Sequence, residues 1–206
     1  KKSMFDFDHH LFTRTFVKVS EDKTFEEVFK TVFLPLLHEI GMLWQTGTID
    51  PSHERFISEL IKQKIIINLS LLQEKNIKKK VPAFALYLPT EEIHEIGLLY
   101  ANYQIVAAGF DTVYLGINMP IESLRHIVKH YEEITFVSYF TVKPDQESVY
   151  EYAKRFENLI GAIKPINLWL MGWKAQQVNP EKLPNNVSII QDFSTLKAKL
   201  TNLKSS

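Results

Sequence analysis

The stretch Ala83-Phe84-Ala85-Leu86-Tyr87-Leu88-Pro89-Thr90-Glu91-Glu92-Ile93-His94-Glu95-Ile96-Gly97 passes from one hydropathy pattern to another. Its first part, 83–88, is an unbroken apolar run of strand length. Glu91 and Glu92 make a polar loop, and the residues from His94 onward predict a helix over 94–108. Toward the C-terminus the same alternation repeats. Short apolar runs at 112–115, 135–139, 167–171 and 187–191 predict four further strands, separated by helices at 121–130, 146–163 and 194–203. Strands alternating with helices of this length imply βαβ units and a parallel sheet. The expected fold for 81–206 is a Rossmann-like, flavodoxin-like doubly wound sheet of five parallel strands, whose ligand site lies at the carboxyl ends of the strands.

Toward the N-terminus the pattern is helical throughout, so the fold class is α/β with an all-α N-terminal part. Thr24 with Glu27 has the spacing of a capping box and opens a run to Trp44. Val28, Val32, Leu36, Ile40 and Leu43 form an amphipathic stripe along it, and Pro35, lacking an N–H, is expected to kink it. Asp50 before Pro51 reads as a side-chain cap followed by proline at the first helical position. Three or four helices with short connections predict a helical-bundle cap domain over 1–80. The charged break 76–80, followed by Pro82, is read as a solvated linker between the two domains.

Composition narrows the function. The chain has 206 residues, with 24 Lys+Arg balanced by 24 Asp+Glu, so it lacks the basic excess of a stand-alone nucleic-acid binder. With no cysteine it has no disulfide, thiolate ligand or cysteine nucleophile. No apolar run approaches membrane-spanning length and no signal-peptide pattern is present, so a cytoplasmic location with no membrane partner is expected. The chain starts with Lys1, which suggests an excised piece of a longer protein. Walker, Gly-x-Gly-x-x-Gly and Gly-x-Ser-x-Gly motifs are absent. The His9-His10 doublet reads as surface, and His126 and His130, four apart, lack an obvious third zinc ligand.

The loop after the first strand holds the residues with the most chemistry. His94 can offer a neutral imidazole nitrogen to a metal while Glu92, two residues earlier, accepts the other ring N–H, a relay that fixes the tautomer and raises ligand basicity. Gly97 leaves room for a bulky ligand against the backbone. The order Glu-x-His-x-x-Gly, then Ser138 ending the third strand and Gly172 ending the fourth, with Trp44 and Glu54 in the preceding helices, resembles the cobalamin-binding domain pair of methionine synthases. It resembles most the effector half of MerR-family regulators of the CarH/LitR type, over residues 8–200.

That resemblance implies a function and a residue set. His94 is the lower axial cobalt ligand, displacing the vitamin's own benzimidazole, and Glu92 holds the acidic position of the motif. Ser138 and Gly172 stand where the displaced nucleotide tail is received, and Trp44 and Glu54 stand at the positions that cover the upper face. The implied cofactor is adenosylcobalamin or methylcobalamin, bound through cobalt. The implied role is non-enzymatic: ligand-controlled homo-oligomerisation, with DNA reached only through an N-terminal helix-turn-helix outside this chain. Three departures stand against the pattern. Arg55 occupies the place of a histidine after Glu54, with His53 on the other side, and Gln45 replaces the histidine that follows the tryptophan in the photoreceptors. Met171-Gly172-Trp173 stands where two small glycines normally admit the nucleotide tail, so Met171 and the nearby Trp173 are expected to narrow that channel. Two other readings therefore remain open: an assembly module that has lost corrinoid binding, and a corrinoid carrier serving a methyltransferase.

Overall fold

The computed structural model describes residues 1–75, 82–145 and 147–204, apart from the side chains of Gln45 and Lys75. Two compact units are present, Lys1–Asn68 and Leu69–Ser206. The charged break expected to separate two domains, 76–80, lies outside the described residues.

The first unit consists of helices α1 (Lys2–Phe5), α2 (His9–Ser20), α3 (Phe25–Val28), α4 (Leu34–Gln45) and the start of α5 (Pro51–Lys75). Thr24 and Glu27 form the reciprocal capping box: the Glu27 N–H donates to Thr24 Oγ1 at 3.3 Å and the Thr24 N–H to Glu27 Oε2 at 2.7 Å. Asp50 caps α5 by accepting from the Ser52 N–H at 2.8 Å. Pro35 does not break the run. A π-helical turn, Phe29–Phe33, joins α3 to α4 just ahead of it. The wider turn removes the need for a bond from position 35 to the carbonyl one α-turn earlier, and it inserts an extra residue into the helical repeat. The stripe consequently rotates. Val28 and Ile40 are buried, as are Phe29 and Phe33, whereas Val32 is exposed. Phe33 becomes the hub of this small core, with ring centroids 6.2 Å from Phe12 and 5.9 Å from Phe16, both stacked, and 6.2 Å from Phe29, edge-on.

The second unit is built on five strands, β1 (Ala83–Pro89), β2 (Thr112–Met119), β3 (Ile134–Tyr139), β4 (Asn167–Met171) and β5 (Val187–Ile189). All pairings are parallel and the order is β2-β1-β3-β4-β5, the doubly wound arrangement. Helix α6 (Ile96–Ala107) follows β1, α7 (Arg125–Val128) follows β2 after a 3-10 turn, α8 (Val149–Phe156) follows β3, and α9 (Phe193–Lys204) ends the described chain. Every residue of β1 is buried, as a central parallel strand covered on both faces requires. One face of the sheet packs Ala85, Tyr87, Phe136 and Leu168 with Tyr152 and Phe156 of α8. Tyr152 donates to the Tyr87 hydroxyl at 3.0 Å, which satisfies a polar group inside that core. On the opposite face Phe84 meets Trp169 at 5.3 Å, and Lys199 of α9 lies over the Trp169 ring.

The strand order reverses direction between β1 and β3. The loops that leave their carboxyl ends, 90–95 and 140–148, are therefore neighbours, and the crevice they flank is where doubly wound sheets take their ligands.

Candidate functional site

Glu92 is fully buried, and its position explains the loop. Its Oε1 accepts from the backbone N–H groups of Ile93 at 2.9 Å and His94 at 3.0 Å, and lies 2.6 Å from His94 Nδ1. Its Oε2 accepts from three consecutive N–H groups after β3: Thr141 at 3.2 Å, Val142 at 2.8 Å and Lys143 at 2.9 Å. One carboxylate thus ties the β1 loop to the β3 loop across the reversal of strand order. Burial alone pushes the Glu92 carboxyl up, but the hydrogen bonds from His94, Lys143 and Val142 outweigh it and hold the group at about 2. Glu92 is therefore ionised, acceptor-only, and able to take Nδ1–H from the imidazole.

That bond has a chemical consequence for His94. A carboxylate facing Nδ1 selects the Nδ1–H tautomer, and the lone pair then sits on Nε2. His94 is set in the loop ahead of α6, not inside the helix, because α6 begins at Ile96 with Glu95 as its N-cap residue. Its side chain is 46% accessible. An oriented, half-exposed imidazole at the carboxyl rim of a parallel sheet is, in its neutral form, a monodentate donor suited to a metal held by other means. Among the described residues no three histidine, aspartate or glutamate side chains cluster as a protein-only metal site.

The loop is held on its other side as well. Glu91 and Asn118 both take left-handed backbone conformations (φ 66° and 57°), and the Glu91 N–H donates to Asn118 Oδ1 at 3.0 Å. Tyr114 donates to Glu95 at 3.2 Å. Burial, then the Glu95 charge, raises its hydroxyl well above the ordinary tyrosine range.

The remaining sequence candidates are placed differently. Gly97 lies in the first turn of α6, and a Cβ built there would sit 2.5 Å from the Tyr139 ring. The room that Gly97 leaves is filled by this protein's own tyrosine. Ser138, beside Tyr139 on β3, is buried and donates its hydroxyl to the Tyr87 carbonyl at 2.9 Å. Gly172 follows β4 with φ 92°, and a Cβ there would come within 2.4 Å of the Phe140 carbonyl oxygen. Met171 is buried at the end of β4, whereas Trp173 is 66% exposed, so only the first of the two expected obstructions points inward. In the first unit, Trp44 lies in the last turn of α4 at 56% exposure, too open for a core tryptophan, and Glu54 stands in the first turn of α5. Next to Glu54, the His53 ring stacks on Phe7 at 4.7 Å.

Two participants carry no recognisable sequence signal. The backbone donors at 141–143 are invisible to any reading by residue type, and Tyr139 reads only as another apolar strand residue. Gly97→Ala is expected to destabilise the second unit by about 1–3 kcal/mol, since the added methyl must displace a packed ring. Chemical denaturation followed by tyrosine and tryptophan fluorescence measures it.

Comparison with known proteins gives this geometry a context. Residues 1–67 match the family model described as B12 binding domain. Over 102 residues the chain is 29% identical to the HTH-type transcriptional repressor CarH of Myxococcus xanthus. The chain is similar to that repressor over this stretch. The aligned part makes up 50% of this chain and 33% of that repressor, so the likeness spans about a third of the relative's length. Among solved structures, the monomethylamine corrinoid protein of Methanosarcina barkeri superposes with a TM-score of 0.62 over 81% of this chain and 78% of that one, at 13% identity. At that identity the likeness establishes a shared fold. Among the described residues no helix is long and apolar enough to cross a membrane.

Proposed function

We propose that this chain is the cobalamin-binding effector part of a bacterial MerR-type transcriptional regulator, in which bound ligand changes homo-oligomer assembly and through it DNA occupancy. The observation that carries the reading is the Glu92–His94 pair: a buried, ionised carboxylate 2.6 Å from Nδ1 of a half-exposed imidazole at the carboxyl rim of the sheet. The relation to CarH and to the B12 binding domains supports it.

The donor set fits the metal-facing half of the group. Cobalamin would supply a cobalt ion, a Lewis acid that takes a nitrogen donor, and His94 Nε2 is the nitrogen that would hold it. Glu92 holds the proton on Nδ1 and strengthens the donor. The N–H groups at 141–143 hold Glu92, so the ring's aim is fixed by backbone, not by a mobile side chain. Trp44 and Glu54 are assigned to the ligand by resemblance alone. Ligand shifts assembly only by binding one arrangement more tightly than the other, and the DNA-binding segment of such a regulator lies outside the residues of this chain.

The test is a dark titration of the purified chain with adenosylcobalamin and, in parallel, with adenosylcobinamide, the corrinoid without a nucleotide tail. A visible spectrum that shifts on binding, and a shift that His94→Ala abolishes, support the reading. Spectra unchanged by both ligands remove it. The second reading, a related module without a corrinoid, is favoured by the packing of Tyr139 onto Gly97 and by buried Met171; it predicts the unchanged spectra. A corrinoid carrier would share the His94 site, and an oligomeric state indifferent to ligand, measured by light scattering, would favour it over the regulator.

A further inference from the structure

Cobalamin carries its own lower ligand, a benzimidazole on a nucleotide tail. If His94 takes the lower position, that tail must leave the cobalt and find another place. The side-chain-free surface nearest to His94 in the chain is Gly97, three residues on at the start of α6. Against it lies the ring of Tyr139, whose Cζ, Cε1 and Cε2 atoms come within 2.7 Å of where a Cβ would stand. Tyr139 is backed by Phe193 of α9 at 6.3 Å, nearly parallel, and Phe193 in turn meets Tyr100 of α6 edge-on at 4.8 Å. The space between α6, α9 and the end of β3 is thus a layer of rings in contact.

The neighbouring strand ends are closed as well. Ser138 is buried with its hydroxyl engaged on the Tyr87 carbonyl. Met171 is buried in register with Tyr139 on the adjacent strand. Gly172 uses its missing side chain to rest on the Phe140 backbone, so that glycine opens no passage. The imidazole that can hold cobalt is present, yet the surface beside it that would receive a flat aromatic tail is covered by this chain's own side chains.

We propose that Tyr139 makes this a site selective for corrinoids without an inserted tail: the metal-bearing ring is held through His94 while the space between α6, α9 and the end of β3 does not receive the nucleotide. The inference rests on the proposed function and deepens it. A displaced benzimidazole loses its cobalt bond and gains no pocket in return, whereas a cobinamide-type corrinoid has no such bond to lose. The cobinamide therefore binds more tightly, by tenfold or more. Removing the Tyr139 ring opens a space beside Gly97 of the size of the group that fills it.

The experiment measures dissociation constants of the full chain for adenosylcobalamin and adenosylcobinamide in the dark, for wild type, Tyr139→Ala and the milder Tyr139→Leu, with thermal melting to show that each variant is folded. A wild-type preference for cobinamide of at least tenfold, narrowed in the folded variants by tighter cobalamin binding, is the expected result. Cobalamin bound as tightly as cobinamide by wild type, or bound more tightly, overturns the proposal and leaves the proposed function intact. A cobinamide preference that neither folded variant narrows overturns the role of Tyr139. Neither corrinoid binding to wild type overturns the proposed function and this proposal with it.

Discussion

Glu92→Gln is expected to lower the unfolding free energy of the second unit by about 3 kcal/mol and to weaken corrinoid binding 10- to 100-fold. The substitution keeps the shape and changes what each end of the side chain can accept. An amide has one acceptor oxygen and one donor NH2. With the oxygen toward His94, the NH2 faces the N–H groups of Thr141, Val142 and Lys143, three donors that now have donors opposite them in a fully buried position. With the oxygen toward the loop, the NH2 faces His94 Nδ1, which must then become the acceptor; the proton moves to Nε2 and the lone pair offered to a metal disappears. Either orientation loses charge-assisted bonds that contribute roughly 1.5–3 kcal/mol each before relaxation. Denaturant unfolding measures the stability change, and corrinoid titration measures the affinity. A Glu92→Gln protein as stable and as tight-binding as the parent would show that the carboxylate charge does not organise the site.

Gly172→Ala is the second large effect, an expected loss of roughly 2–5 kcal/mol with no ligand involved. Two penalties combine there. The backbone sits at φ 92°, where a side chain is strained, and the new Cβ would lie 2.4 Å from the Phe140 carbonyl oxygen and 2.8 Å from its carbon. A flexible side chain could swing aside, but this obstacle is backbone. Phe140 is pinned there, because its carbonyl accepts from the Lys174 N–H at 3.0 Å and its N–H donates to the Met171 carbonyl at 2.8 Å. The β3 and β4 ends must separate, which disturbs the loop that holds Glu92. A thermal midpoint several degrees lower, with the Glu92–His94 loop loosened in hydrogen exchange at 141–143, is the expected outcome. A Gly172→Ala protein melting with the parent would contradict the close approach.

The two substitutions act at different depths of the same construction. Gly172 sets how closely β3 and β4 end, and Glu92 uses the loop so placed to aim an imidazole. The proposed site rests on one buried carboxylate shared between two crossover loops, a means of holding a half-exposed loop histidine in place without packing the ring itself.

Much of this was legible in the residues alone. The apolar runs alternating with helices required a parallel sheet, since strands joined by crossover helices have no short route to antiparallel pairing. The reciprocal Thr24–Glu27 cap and the Asp50–Pro51 start were readable because capping depends on neighbours in sequence. The proximity of Glu92 to His94 was readable for the same reason: they stand two positions apart.

What the tertiary structure decided depends on residues far apart in the chain. The π turn before Pro35 rotated a helical face and exposed Val32, an outcome set by how Phe33 packs among Phe12 and Phe16 rather than by periodicity. The donors at 141–143 reach Glu92 across about fifty positions of sequence. Tyr139 closes over Gly97 only because β3 lies beside the strand that leads into α6. Backbone N–H groups are identical in every residue but proline, and a ring's resting place depends on what surrounds it. Local pattern therefore locates the Glu92–His94 pair, while long-range packing determines what surrounds it.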